Sequence, residues 1–199
     1  ACIQAAIDAG DSHTGITVMH VVKALDAGDI ILKVETPIGL HETGGELHDR
    51  LAEIAPDALR QVLNQLVSGD AERTPQDPEQ VSYISKLMRE NGEIDWSQSA
   101  EALERRIRAY DPWPGTSTSF VDNKGRKRRL KIFPQVELSD QSGKPGQVLS
   151  TDELLTVACG EGALLVKSLQ PDGSRRMSSA DFLMGKPISI GDQLGESGQ

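Results

Sequence analysis

The stretch from Asp70 to Gln80 constrains this chain more than any other, because nothing in it can build a core. Pro75 and Pro78 stand among polar residues, and no apolar residue recurs at helical or strand spacing. Each proline removes a backbone donor and restricts the residue before it. Such a segment connects packed units and does not itself join one. The 199 residues are therefore read as two units, 1–69 and 82–199, with 70–81 as the linker. Charge follows nearly the same boundary. Residues 1–81 hold 5 Lys/Arg against 14 Asp/Glu, whereas 82–199 hold 16 of each. The net charge of −9 argues against nonspecific polyanion binding, yet it leaves the second unit free to carry a basic face.

Within the first unit, Ile3 to Ala9 reads as the end of a helix, closed by Gly10 where a left-handed cap is usual. Gly15 to Val22 is rich in β-branched residues and predicts a buried strand. A second strand, Ile30 to Glu35, follows the turn Leu25-Asp-Ala-Gly-Asp29, so the two are expected as a hairpin or as neighbours. Thr43-Gly-Gly-Glu46 has capping-box spacing. Leu47, Leu51, Ile54, Ala58, Val62 and Leu66 then mark one face of a helix that Pro56 should kink and Gly69 should end.

In the second unit Ser99 can cap a short helix whose buried face is Leu103, Ile107 and Tyr110, stopped by Asp111-Pro-Trp-Pro-Gly115. Five short β-type runs follow: Ser117–Val121, Arg129–Phe133, Gly146–Leu149, Leu155–Ala158 and Ala163–Leu169. With their Gly-containing turns they suggest a small barrel, and Ser178 to Met184 closes with a helical turn.

Apolar content of 37% and charged content of 26% suit a globular protein. The longest apolar runs fall far short of the ~20 residues of a membrane-spanning helix. Cys2 and Cys159 are too few for a disulfide framework, and no CxxC or His-rich spacing suggests zinc. Ala1 to Gly10 lacks the basic and apolar regions of a signal peptide, so a cytoplasmic location is expected. The sequence opens on Ala inside a helical pattern and reads as a fragment.

Three stretches resemble the methionyl-tRNA formyltransferase family. They are Thr14-Gly-Ile-Thr17 with Leu25-Asp-Ala-Gly-Asp-Ile30; Ile94-Asp-Trp-Ser97 with Leu103–Arg108 and Pro112-Trp-Pro-Gly115; and Ser168-Leu-Gln-Pro-Asp-Gly173 with Met177 and Asp181-Phe-Leu183. Their order and spacing make the match specific. The resemblance implies an α/β unit, the end of a Rossmann-like formyltransferase domain. A linker and a mainly β unit built on an OB-like barrel would follow. The family's asparagine and histidine, which precede a Ser-Leu-Leu-Pro segment, have no counterpart here. The N-terminal part of the catalytic domain is thus expected to be absent, and the isolated chain to be nearly inactive.

The implied activity is transfer of a formyl group from 10-formyltetrahydrofolate, a co-substrate, to the α-amine of methionine on initiator Met-tRNA. No metal, no membrane and a monomer are expected. By the same resemblance Asp26 matches the catalytic aspartate, although on local sequence alone it would be a turn residue. Val22, Lys23, Ala24 and Leu25 match the loop on the folate side, and Lys86 a lysine near the tRNA acceptor end; the competing readings are an ordinary interstrand loop and a surface lysine.

Lys124, Arg126, Lys127, Arg128, Arg129 and Lys131 place six cations in eight positions entering a strand, a pattern that can grip phosphates. The competing reading is a solvated β-turn. Arg105, Arg106 and Arg108 could contact tRNA or pair with Glu101 or Glu104 along their helix. His20 is read as a partly buried structural residue, and Trp96 and Trp113 as packing residues. Two alternatives stand beside the main reading: a folate-dependent nucleotide-sugar formyltransferase, and a non-catalytic nucleic-acid-binding module.

Overall fold

The computed structural model describes residues 1–185 and 187–195. Helix α1 (Cys2–Ala9) ends at Gly10, whose φ of 81° lets the Gly10 and Asp11 N–H groups turn back onto Ile7 and Ala6 carbonyls. Strands β1 (His13–Met19) and β2 (Ile30–Pro37) pair antiparallel, from His13 opposite Pro37 to Met19 opposite Ile30.

The hairpin is as expected, but its first strand is shorter and wetter than the sequence suggests. It alternates exposed and half-buried residues and stops at Met19, leaving Val21 and Val22 exposed. The register shifts between Val18 and Met19, and the His20 N–H then donates to the Asp29 carbonyl, closing a loop. Gly28 lies so near that a Cβ there would fall 1.7 Å from the His20 carbonyl oxygen.

Helix α2 (Gly44–Ser68) starts at a complete capping box, with the Glu46 N–H donating to Thr43 Oγ1 and the Thr43 N–H to the Glu46 carboxylate. It runs without a break through Pro56 and ends at Gly69 in the left-handed conformation. Leu47, Leu51, Ala58 and Val62 are buried, Ile54 half so. Leu66, expected on that face, is exposed together with Leu59, Leu63 and Val67.

Helix α3 (Ala100–Ala109), capped by Ser99, contributes to two cores. Leu103 and Ile107 point into the second unit's core, while Ala109 and the following Tyr110 pack with Ile7, Leu47 and Leu51. Charges fasten the second contact. Arg106 holds the Asp8 carboxylate at 3.2 Å, and Arg105 Nε donates to the Asp8 carbonyl. Arg108, 8% exposed, pairs with Glu104 at 2.6 Å and donates to the Glu42 carbonyl.

The rest of the second unit contains β3 (Thr116–Val121), β4 (Lys127–Ile132), β5 (Glu137–Ser139), β6 (Val148–Ser150), β7 (Leu155–Ala158), β8 (Ala163–Val166), β9 (Ser168–Pro171), β10 (Met177–Ser178) and α4 (Ser179–Met184). They form two antiparallel four-stranded sheets, β10-β9-β4-β3 and β5-β8-β7-β6. The run Ala163–Leu169, read as one strand, is two strands in different sheets. The chain changes sheet at Lys167, whose carbonyl accepts the Ser179 N–H. The five expected strands are thus eight, and no closed barrel joins the sheets among the described residues. Leu130, Ile132, Leu155, Val157, Leu164 and Leu169 fill the core between them, with Phe120 edge-on to Phe182 at 5.8 Å.

Candidate functional site

Asp26 sits in the loop that closes the β1–β2 hairpin, with a φ of 50°. A non-glycine residue in that region is uncommon and worth a functional question. Every residue from Val21 to Ala27 is exposed, Val21 at 98% and Leu25 at 89%. Val22, Lys23, Ala24 and Leu25 therefore share one protruding loop with Asp26. Apart from the bonds that linker residues make to its carbonyl groups, this loop offers free backbone donors and acceptors beside apolar surface. Among the described residues, no His/Cys/Asp/Glu group could hold a metal ion.

Linker residues meet this loop, which sequence reasoning missed. Thr74 and Ile30 exchange backbone hydrogen bonds at 2.8 and 2.9 Å. Gln76 Nε2 donates to the carbonyls of Asp26 and Gly28, and Arg73 Nε donates to Nε2 of the half-buried His20. Nothing in the sequence flags Gln76, since a polar residue near two prolines reads as solvated chain.

Strand β4 sorts the basic run by its two-residue alternation. Lys127, Arg129 and Lys131 lie on its exposed face, opposite Val121, Ser119 and Ser117 of β3, with Gln170 of β9 also opposite Lys131. Arg129 Nε donates to the Ser117 hydroxyl. Arg128 points to the other face with Leu130 and Ile132 and is half-buried. Arg126 belongs to the turn, where two of its guanidinium nitrogens donate to the Asp122 carboxylate. The Arg126 backbone N–H, then its side chain and the Lys124 N–H, hold that carboxyl down at about 2.

Lys124 sits at the exposed turn, and Lys86 in an exposed irregular segment between the units. Of the seven expected nucleic-acid contacts, three form a row, two belong to the turn, one faces away and one stands apart. Arg105, Arg106 and Arg108 go to the internal bonds already described.

A small cavity borders that row, lined by Asp111, Pro112, Pro114, Arg129, Lys131 and Phe133 among others. Both Asp111–Pro112 and Trp113–Pro114 are cis. Burial raises the Asp111 carboxyl above its ordinary range, with Arg176 acting the other way. The Arg176 guanidinium lies 4.1 Å from the Phe133 ring centre. Trp96 is buried and donates to Thr118 Oγ1 at 3.0 Å, as a packing residue should. Trp113, read the same way, is 48% exposed.

Residues 86–187 match the formyl transferase C-terminal domain, and residues 1–63 match the formyl transferase domain itself. The chain belongs to the formyl transferase family. Methionyl-tRNA formyltransferase of Akkermansia muciniphila is 50% identical over 189 residues, covering 94% of this chain and 60% of its own length. The enzyme of the same name from Marinobacter nauticus is 43% identical, with 92% and 58% covered. The chain thus spans about 60% of the length of the curated relatives it matches. Among solved structures, an N-formyltransferase from Helicobacter canadensis, crystallised with folinic acid and dTDP-3-aminofucose, superposes with a TM-score of 0.64. It covers 88% of this chain and 60% of that one at 16% identity, a likeness of fold. As in this family, residues 1–63 supply the α/β part and residues 86–187 the β part.

Proposed function

We propose that this chain is the part of a methionyl-tRNA formyltransferase that carries the catalytic aspartate and the acceptor-binding unit. The observation that carries the reading is the 50% identity to a methionyl-tRNA formyltransferase across 94% of the chain. The donor is 10-formyltetrahydrofolate and the acceptor the α-amine of methionine on initiator Met-tRNA. In this reading 1–69 ends the catalytic domain, 70–81 is the linker, and 82–199 binds tRNA with its two sheets arranged in an OB-like manner. It acts in the cytoplasm as a monomer, without a metal.

When the amine attacks the formyl carbon, a tetrahedral intermediate forms, the carbon–N10 bond breaks, and the amine's proton must end on the folate nitrogen. Asp26, held on an exposed loop, receives that proton directly or through water and returns it to the leaving nitrogen. Val22, Lys23, Ala24 and Leu25 flank the folate. The row Lys127, Arg129 and Lys131 takes successive phosphates, with Lys124, Arg126, Arg128 and Lys86 at its margins. A second reading keeps the fold and donor but makes the acceptor an amino sugar on a nucleotide, the class of molecule crystallised with the Helicobacter canadensis protein that shares this fold.

The test is a fusion of the Akkermansia relative's N-terminal part to this chain at Ala1, assayed with both acceptors. Formylation of Met-tRNA that Asp26→Asn abolishes is the expected result. Transfer to the nucleotide sugar alone would replace the first reading with the second. Inactivity on both, in a folded fusion that still binds tRNA, would leave a binding module. Replacing Lys127, Arg129 and Lys131 together by Ala should weaken tRNA binding and lower its salt slope by about one unit per cation. Arg126→Ala should do less, because that guanidinium already serves Asp122.

A further inference from the structure

The loop from Val21 to Ala27 buries no side chain, so packing does not hold Asp26 where it is. Its left-handed backbone is one that side-chain-bearing residues seldom keep without support. Support comes from the linker. Gln76 Nε2 donates to the Asp26 carbonyl at 2.7 Å and to the Gly28 carbonyl at 2.8 Å, and it lies 3.6 Å from Met19 Sδ. A primary amide can do this because one nitrogen carries two hydrogens, which here meet carbonyls two residues apart. The chain that carries this amide is pinned close by. Thr74, two residues earlier, is bonded to Ile30 in both directions, and Arg73 is bonded to His20 at 3.0 Å. Gly28 cannot drift inward, given its approach to the His20 backbone.

We infer that Gln76 is a positioning residue for formyl transfer, its side-chain amide clamping the Asp26–Gly28 backbone so that the Asp26 carboxylate is aimed. This rests on the reading of Asp26 as the catalytic acid–base group. The inference turns the linker into part of the catalytic apparatus. A carboxylate of the same shape could not replace the amide, since the ionised side chain of Gln76→Glu would offer no donor and would repel both carbonyl oxygens.

Two measurements on Gln76→Ala and Gln76→Glu test the clamp. In the 199-residue chain, backbone 15N relaxation should report loss of order at Asp26, Ala27 and Gly28, with the β3–β4–β9 resonances unmoved. In the fusion described above, kcat should fall about tenfold to a hundredfold, the scale of a misaimed catalytic group, with KM for both substrates held. Asp26→Asn is run beside them. Unchanged order at Asp26 and Gly28 would overturn the clamp. Lost order with undiminished kcat, in a fusion that Asp26→Asn inactivates, would overturn the positioning role. An Asp26→Asn fusion that stays active would sink the catalytic reading instead, and the relaxation data would then decide the clamp alone.

Discussion

The two units use their apolar residues differently. In the second, Leu130, Leu155, Leu164 and Leu169 are fully buried between two sheets and two helices. In the first, α2 leaves Leu59, Leu63, Leu66 and Val67 exposed, and the hairpin loop does the same with Val21 and Leu25. The first unit's small core is completed by Ala109 and Tyr110, from the end of a helix that otherwise serves its neighbour. Two sheets facing each other supply their own dry interior, whereas a hairpin and two helices here depend on a borrowed one.

The sharpest way to break this comparison is a matched pair of truncations. Leu164→Ala should cost about 2–5 kcal/mol in urea unfolding, and Leu63→Ala no more than about 0.5 kcal/mol. Equal costs would mean that α2's exposed stripe is covered in solution. Next comes Arg108→Ala, which strands Glu104 and removes a donor from the Glu42 carbonyl. It should cost about 1.5–3 kcal/mol, with probes in both units reporting the same shift. Thr43→Ala, which opens the capping box, should cost about 1 kcal/mol, felt mainly in α2.

The smallest effect is one of pH. The hydrogen bond from Arg50 holds the Glu42 carboxyl below its ordinary 4.5, partly offset by burial. A lowered carboxyl stabilises the fold above its unfolded value, and that contribution fades as pH falls through the folded one. Acid titration of stability below about 4.5 should therefore be flatter in Arg50→Gln than in the parent.

Local signals were legible in the sequence wherever one residue settles a backbone choice. Gly10 and Gly69 end their helices, and Thr43 and Ser99 begin theirs. What failed depended on distant partners. Val21 and Val22 have strand propensity, but the ladder ends before them because Gly28 and His20 close the loop. Ala163–Leu169 is continuous as a pattern, yet it divides because two sheets compete for its halves.

The site shows the same divide. Asp26 is proposed from its flanking motif and the basic strand from its charge density. Alternation along β4 then removed Arg128 from the exposed row, and Asp122 engaged Arg126. Gln76 was invisible because its partners are backbone carbonyls some fifty positions upstream.

Helix α3 has one face in each core, and this bears on cooperativity. A wall shared by two rooms cannot be taken down for one of them alone. Any fluctuation that frees Ala109 and Tyr110 from Ile7 also loosens the seating of Leu103 and Ile107. The two units should therefore melt as one cooperative block, and the opening events of lowest free energy should be confined to the hairpin loop and the exposed half of α2.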